Sequence, residues 1–253
     1  MMKRILQALL VSGALWSASG AAGAQAATGF SVVYDIHAKG ITAGLFSYSV
    51  ARSGDTYQAT ADRKMTGLVR SIVGSKQDYH YTAMGTVSDK GPQPASYQHS
   101  GGKKGRVVQV SFTPDDITTV ANPGMGMGNP PATREQKIGA IDQLSSIYAM
   151  AITAGDPCAR TLHIYLDGRS RFDLVMSPSG SQRVSSRAFK GSAKRCSVAF
   201  KPIAGFDDPI EPATLTFLFA PIGGLYAPIK IAMPTDDAGI VTLEARSFAI
   251  AKS

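Results

Sequence analysis

Between Phe30 and Val120, apolar and polar residues alternate in short runs separated by turn residues, and this period of two most constrains the fold. The runs FSVVYDIHA, AGLFSYSVA, TYQATADRKM, DYHYTAMGTV, ASYQHS and RVVQVSF each read as a strand with one inward face. Lys39-Gly40, Ser53-Gly54-Asp55, Asp89-Lys90-Gly91 and Ser100-Gly101-Gly102 supply turns between them. Connections this short favour antiparallel neighbours in a meander over βαβ units. After residue 160 the pattern resumes. LHIYL and RFDLVMS flank the hairpin signal Asp167-Gly168-Arg169, and QRVSSRAFKG, SVAFKPIAG, ATLTFLFA, PIKIAM and IVTLEARSFAI follow as further strands.

Two stretches break the alternation. Residues 67–74 carry Leu68, Val69, Ile72 and Val73, which suit a short helix or a bent edge equally. Residues 114–134, with PGMGMGNPPATRE, are too rich in Gly and Pro for regular structure and read as a mobile loop. Thioethers favour copper, so Met125 and Met127 are conceivable soft ligands, but two incidental methionines in a loop are the simpler account.

The segment DQLSSIYAMAIT is the best candidate helix. Asp142 suits the N-cap, because its carboxylate accepts from the free N–H groups of the first turn. Leu144, Ile147, Tyr148 and Ala151 fall at helical spacing, and Ala149, Met150 and Ile152 fill most of the remaining circumference. A helix apolar nearly all round is buried by the rest of the chain. Gly155 is the expected stop, with Asp156-Pro157 barring continuation, for a length of about 16 Å. The predicted fold class is therefore mainly β: a strongly bent antiparallel sheet, an open barrel or β-spiral, wrapped around one helix.

The first residues read as an export signal. Met1 to Arg4 is short and basic, Ile5 to Leu15 is apolar, and AGAQA offers small residues at A-x-A spacing. Residues 1–26 are the expected signal peptide and residues 27–253 a single β-rich periplasmic domain. The apolar core is too short for a membrane anchor, so nothing is expected to span the membrane after cleavage. The mature chain of about 225 residues is enough for one large β-domain. Taking Lys3 and Arg4 from the 26 basic residues leaves 24 against 18 acidic ones, a mature net charge of +6.

Export also decides the reading of Cys158 and Cys196, the mature chain's two cysteines. An oxidising compartment favours one structural disulfide. It would pin the end of the helix to the basic stretch beyond it. The spacing is not CxxC and no histidine follows at ligand distance, so a metal or redox role is disfavoured.

Charge is uneven. No acidic residue lies between Asp173 and Asp207, whereas Arg183, Arg187, Lys190, Lys194, Arg195 and Lys201 do. Such a strip either faces solvent or attracts an anionic envelope lipid, a wall polymer or an envelope protein. The export signal disfavours nucleic acid. Arg169, Arg171 and Asp173 alternate on the strand after Asp167-Gly168 and so share a face. They form an exposed paired ladder, or Arg169 and Arg171 face a cleft and hold an anion with their guanidinium forks. Asp142, Leu144, Asp167 and Gly168 are expected to serve structure.

Catalytic patterns are sparse. His37, His80, His99 and His163 show no HxH, HxxxH or HExxH spacing, so no metal and no cofactor is expected. There is no GxSxG elbow, and the SxxK match at Ser100 falls in a glycine-rich turn instead of the start of a helix. Asp35 with His37, and Asp78 with His80, share strand faces and make acid–base pairs conceivable. Solvated strand faces account for both more simply, and Tyr79 with Tyr81, like Phe217 with Phe219, suits sheet core or rim better than a ligand cage.

The ordered set FSVVYDIHAKGITAGLFSYSV, IDQLSSIYAM, DPC, YLDGRSRFDL, Cys196 before KPIAGF, and YAPIKIAM resembles the domain-of-unknown-function 3108 family of exported bacterial proteins. Its most specific parts are Asp142-x-Leu144-Ser145 and Asp167-Gly168-Arg169 with Arg171 to Leu174; Gln143 stands where the family often has proline. The resemblance implies a β-rich periplasmic protein whose bent sheet, part barrel and part spiral, wraps a helix. It implies no catalytic residues. Two expectations follow: a non-enzymatic binding or envelope-integrity module, or a hydrolase or isomerase using an Asp–His pair in the barrel mouth.

Overall fold

The alternating runs of the N-terminal half all become strands in the computed structural model, which describes residues 29–235 and 239–251. They are β1 (Gly29–Ala38), β2 (Ile41–Ser53), β3 (Thr56–Met65), β4 (Tyr79–Ser88), β5 (Gly91–Gly101) and β6 (Arg106–Phe112). The expected signal peptide lies outside the described residues. A second series, β8 (Arg160–Leu166), β9 (Ser170–Ser185), β10 (Lys190–Ala204), β11 (Ala213–Ile222), β12 (Leu225–Thr235) and β13 (Gly239–Ile250), follows the helical segment.

Among the described residues these strands and β7 (Ile117–Asn122) make one antiparallel sheet of thirteen, ordered β7-β6-β5-β4-β3-β2-β1-β13-β12-β11-β10-β9-β8. Two meanders are thus joined where β13 pairs with β1. The middle of the chain supplies both edges, β7 and β8, which share no backbone hydrogen bond among the described residues.

Two expectations are corrected here, and one open choice is settled. Residues 114–134 are not all loop, because the β-branched run Ile117, Thr118, Thr119, Val120 pairs with β6 as β7. The rest of that stretch is tied down: Asn129 N–H donates to Phe206 O at 2.8 Å, and Gly205 N–H to Pro130 O at 2.8 Å. Gly128 (φ +83°) permits this approach, since a Cβ there would lie 2.1 Å from the carbonyl carbon of Gly205. QRVSSRAFKG is not one strand: residues 182–185 end β9, residues 190–191 begin β10, and residues 186–189 turn between them, where Ser186 N–H bonds Phe189 O and Ser186 Oγ accepts from Phe189 N–H. Residues 67–74 form a short helix, α1 (Gly67–Val73), because Asp78 takes Met65 N–H on one oxygen and Arg70 on the other, at 3.1 Å each.

A capping box of Thr133 and Gln136 starts the single-turn α2 (Arg134–Lys137). Asp142 caps α3 (Gln143–Ala151), accepting from Leu144 and Ser145 N–H at 2.9 Å each. The helix ends before Gly155, because Arg160 of β8 donates to Ala149 O at 2.8 Å and replaces the N–H of a further turn.

The near-continuous apolarity of α3 reflects two cores. Leu144, Tyr148 and Ala151 pack with Phe30, Tyr48, Tyr57, Val110 and Ile229, from strands of both meanders. Ala149 and Met150 turn to a second cluster of Leu162, Ile164, Leu174, Val198, Phe217 and Phe219. Ile147 is partly buried and touches both. Buried tyrosines donate across this interior: Tyr48 to Leu144 O at 3.1 Å and Tyr34 to Pro228 O at 2.6 Å. The Cys158–Cys196 disulfide, with Cα atoms 5.2 Å apart, ties the turn after α3 to β10.

Candidate anion-binding cleft

A row of directly paired residues crosses β3 to β6: Arg63 opposite Tyr79, Tyr79 opposite Gly101, and Gly101 opposite Arg106. Paired residues share a face, so Gly101 leaves a gap between Tyr79 and Arg106. The next row on that face brings Tyr81 opposite His99. Over the gap stand the residue 125–126 loop segment, the β8–β9 turn and Asp207. The result is a cavity of about 390 Å³ lined by Arg63, Tyr79, Tyr81, His99, Arg106, Met125, Gly126, Asp167, Arg169 and Asp207.

Each guanidinium is held differently. Arg106 is braced by Pro123 O and Gly124 O at 2.9 and 3.0 Å. Arg169 pairs with Asp207 at 2.7 Å. Arg63 lies 4.4 Å over the Tyr79 ring, a cation–π placement, and its Nε–H is buried with no partner among the described residues. An unpaired buried donor is costly, of order 1–3 kcal/mol. Tyr79 and Tyr81 stack with centroids 6.0 Å apart and form an aromatic wall.

The inner end of the cleft is a hydrogen-bonded chain. Tyr97 donates to Asp167 Oδ1 at 3.1 Å, and Gln143 Nε2–H, at the start of α3, donates to Asp167 Oδ1 at 2.6 Å and to the Tyr97 hydroxyl. Tyr97 has one proton to give, and burial with the nearby Asp167 carboxylate holds its phenol protonated. His99 Nδ1, 3.1 Å away, therefore donates to Tyr97, leaving Nε2 as the bare nitrogen. His99 is only 7% exposed, and burial pushes its pKa down, with Asp167 opposing and Arg106 and Arg63 adding to the fall. The imidazole is neutral at neutral pH.

The residues singled out from sequence are dispersed. Arg169 lines the cleft. Arg171 does not: it is buried, 5% exposed, bonded to Gln136 O at 2.7 Å and to Asp173 at 2.6 Å, so the exposed ladder is corrected at that position. A guanidinium can be buried there because carbonyls and a carboxylate surround it. The basic strip divides. Arg187 and Lys190 border a separate cavity with Asp35, Glu244 and Arg246; Arg183 lines a smaller one with Lys230 and Glu244. Lys194 pairs with Asp156 at 3.2 Å, and Arg195 is exposed. Asp167 (φ 51°) and Gly168 (φ 75°) form the β8–β9 turn, where a Cβ on Gly168 would lie 2.8 Å from Thr119 Cγ2.

The Asp–His pairs read from strand alternation do not form. Asp35 is bonded to Arg246 and His37 to Thr42; Asp78 is bonded to Arg70, and His80 to Asp62 at 3.0 Å. Among the described residues no group of three or more His, Cys, Asp or Glu is placed to hold a metal ion, and no helix is long and apolar enough to cross a membrane. Met125 packs against the larger core beside the cleft. Arg63, Arg106 and His99 escaped the sequence reading as site residues, because strand register, which aligns them, is not a local property.

No curated protein matches the chain. The model of the family described as "Protein of unknown function (DUF3108)" matches residues 33–246, most of the chain, and the protein belongs to that family.

Proposed function

We propose that the protein is a non-enzymatic periplasmic binding or envelope-integrity module whose arginine cleft holds the anionic group of a lipid, a wall fragment or an envelope protein. The observation that carries this reading is the convergence of Arg63, Arg106 and Arg169 on one aromatic-walled cavity, with a buried Arg63 N–H lacking a partner among the described residues. Guanidinium forks suit carboxylate and phosphate, and the stacked Tyr79 and Tyr81 offer a ring-binding wall beside them. The export signal read from residues 1–26 and the Cys158–Cys196 disulfide are compatible with the periplasm. In this reading the bent sheet wraps α3, and the helix acts as the rigid plug that fixes Gln143 and Asp167 at the base of the cleft.

Native mass spectrometry of protein purified from its own envelope tests the proposal. An anionic adduct is expected on the wild type and absent from an Arg63→Gln/Arg106→Gln variant of unchanged melting temperature. Equal adducts on both proteins, or none on either, reject it.

A second reading, a hydrolase or isomerase with an Asp–His pair in the barrel mouth, is favoured by one contact. Asp167 Oδ1 lies 3.7 Å from His99 Nδ1, with Tyr97 between them, and His99 keeps a bare Nε2 for proton transfer. Conversion of a bound adduct to a new mass by the wild type, but not by His99→Asn, selects that reading.

A further inference from the structure

The opposite end of α3 opens on a second cavity, of about 560 Å³. Its walls come from both meanders: the β4–β5 turn (Ser88, Lys90) on one side and the β11–β12 turn (Gly224, Leu225) on the other. Tyr148 and Ala149 of α3 and Ile152 just past its end, together with Val87 and Leu225, give it an apolar floor. Three cations, Arg52, Lys90 and Arg160, stand around that floor against one acid, Asp89. Arg160 already donates to the Ala149 carbonyl, which lacks a helical partner at the helix end, and this offsets the repulsion a helix C-terminus exerts on an anion.

Inside, the Tyr148 hydroxyl is buried beside the Arg52 guanidinium, the one polar side chain among the described residues that acts on it. Burial raises its pKa while the nearby Arg52 guanidinium opposes the rise, so the phenol is a proton donor at neutral pH beside a fixed positive charge. Arg52 is steadied by its Nε–H bond to Gly54 O at 2.7 Å. A phenolic O–H and a guanidinium side by side at the edge of an apolar cavity are complementary to a single anionic head on an apolar chain.

We propose that this cavity binds a single-chain anionic amphiphile, with its head on Arg52 and Tyr148 and its chain along Val87, Ile152 and Leu225. The volume falls within the range of small-molecule sites, roughly 300–1,000 Å³. The site is separate from the arginine cleft and does not depend on what that cleft holds.

Isothermal titration with decanoate tests the assignment, with acetate and the uncharged amphiphile decyl maltoside as the other probes. Decanoate is expected to bind, and acetate and decyl maltoside to bind at least about tenfold more weakly. Arg52→Gln and Tyr148→Phe should each weaken decanoate, by about tenfold and about threefold, the losses of a charge-assisted and an ordinary hydrogen bond. Ala154→Trp, at an exposed position on the rim, should block the cavity without touching the core. Acetate binding as tightly as decanoate would make this a simple anion site, and decyl maltoside binding equally would make it a nonspecific apolar surface. Either result overturns the proposal, as does undiminished decanoate binding by a folded Ala154→Trp protein.

Discussion

Thr119 on β7 donates its hydroxyl to the carbonyl of Gly168, in the turn after β8, at 2.7 Å. The two residues stand at opposite ends of the sheet order, so this bond joins its edges through a side chain. Tyr165 reinforces the contact, donating to the same carbonyl at 2.8 Å. Thr119→Val keeps the shape and removes one donor. It should cost about 1 kcal/mol in urea denaturation, because Tyr165 keeps the carbonyl partly satisfied. No change would mean that the edges are held by packing alone.

Asp142 is fully buried, and burial pushes its pKa up from 3.8 to about 6 against the opposing hydrogen bonds from Ser145 and Leu144. A carboxyl whose folded pKa lies above its unfolded value binds its proton more tightly when folded. Its contribution is therefore most favourable below about pH 4 and is lost as pH rises towards 6, by roughly 3 kcal/mol. Asp142→Asn keeps an acceptor for Leu144 and Ser145 N–H, and the Ser145–Tyr57 bond can reverse direction to match. The stability of the variant relative to wild type should rise between pH 4 and 7. A flat difference curve would show that Asp142 is ionised throughout.

Leu144 is 0% exposed and points into the larger core with Tyr148 and Ala151. Leu144→Ala should cost roughly 2–5 kcal/mol, the transfer loss plus the cavity left behind. Chemical denaturation measures it. A loss below about 0.5 kcal/mol, the size for a surface position, would remove α3 from the core.

The disulfide closes a loop with a sequence separation of 38. In the chain-entropy model such a closure stabilises by about 4 kcal/mol. Labelling of unreduced, denatured protein should find no free thiol, and a Cys158→Ala/Cys196→Ala variant should unfold at markedly lower urea. Two labelled thiols in the purified protein would contradict the pairing.

Arg169 and Arg171 are two residues apart and should behave oppositely. Arg169 pairs with Asp207, a carboxylate 62% exposed, so Arg169→Ala should change stability by no more than about 1 kcal/mol while weakening any anion in the cleft. Arg171 is buried against Gln136 O, Phe172 O and Asp173, so Arg171→Ala should cost about 3 kcal/mol and leave a folded fraction with an intact cleft. Urea melts and anion titrations on both variants separate the two roles.

By itself the sequence determined whatever depends on neighbours along the chain. Period-two alternation specified β1 to β6 and most of β8 to β13, because each strand's inward face is written in its own residues. The Asp142 cap and the Asp167-Gly168 turn were legible for the same reason, and the cysteine pair followed from the compartment that the N-terminal residues suggest. What required tertiary structure was alignment across strands. The row Arg63, Tyr79, Gly101, Arg106 exists only once three registers are set, and a slip of one residue would turn Arg63 and Arg106 to the other face. β7 took shape by pairing with β6, although its neighbours in sequence are Gly- and Pro-rich. Arg171 became a buried residue because Gln136, which precedes α3, supplies it a carbonyl from 35 residues away. Local periodicity says which way a side chain points, and only the folded chain says what it meets there.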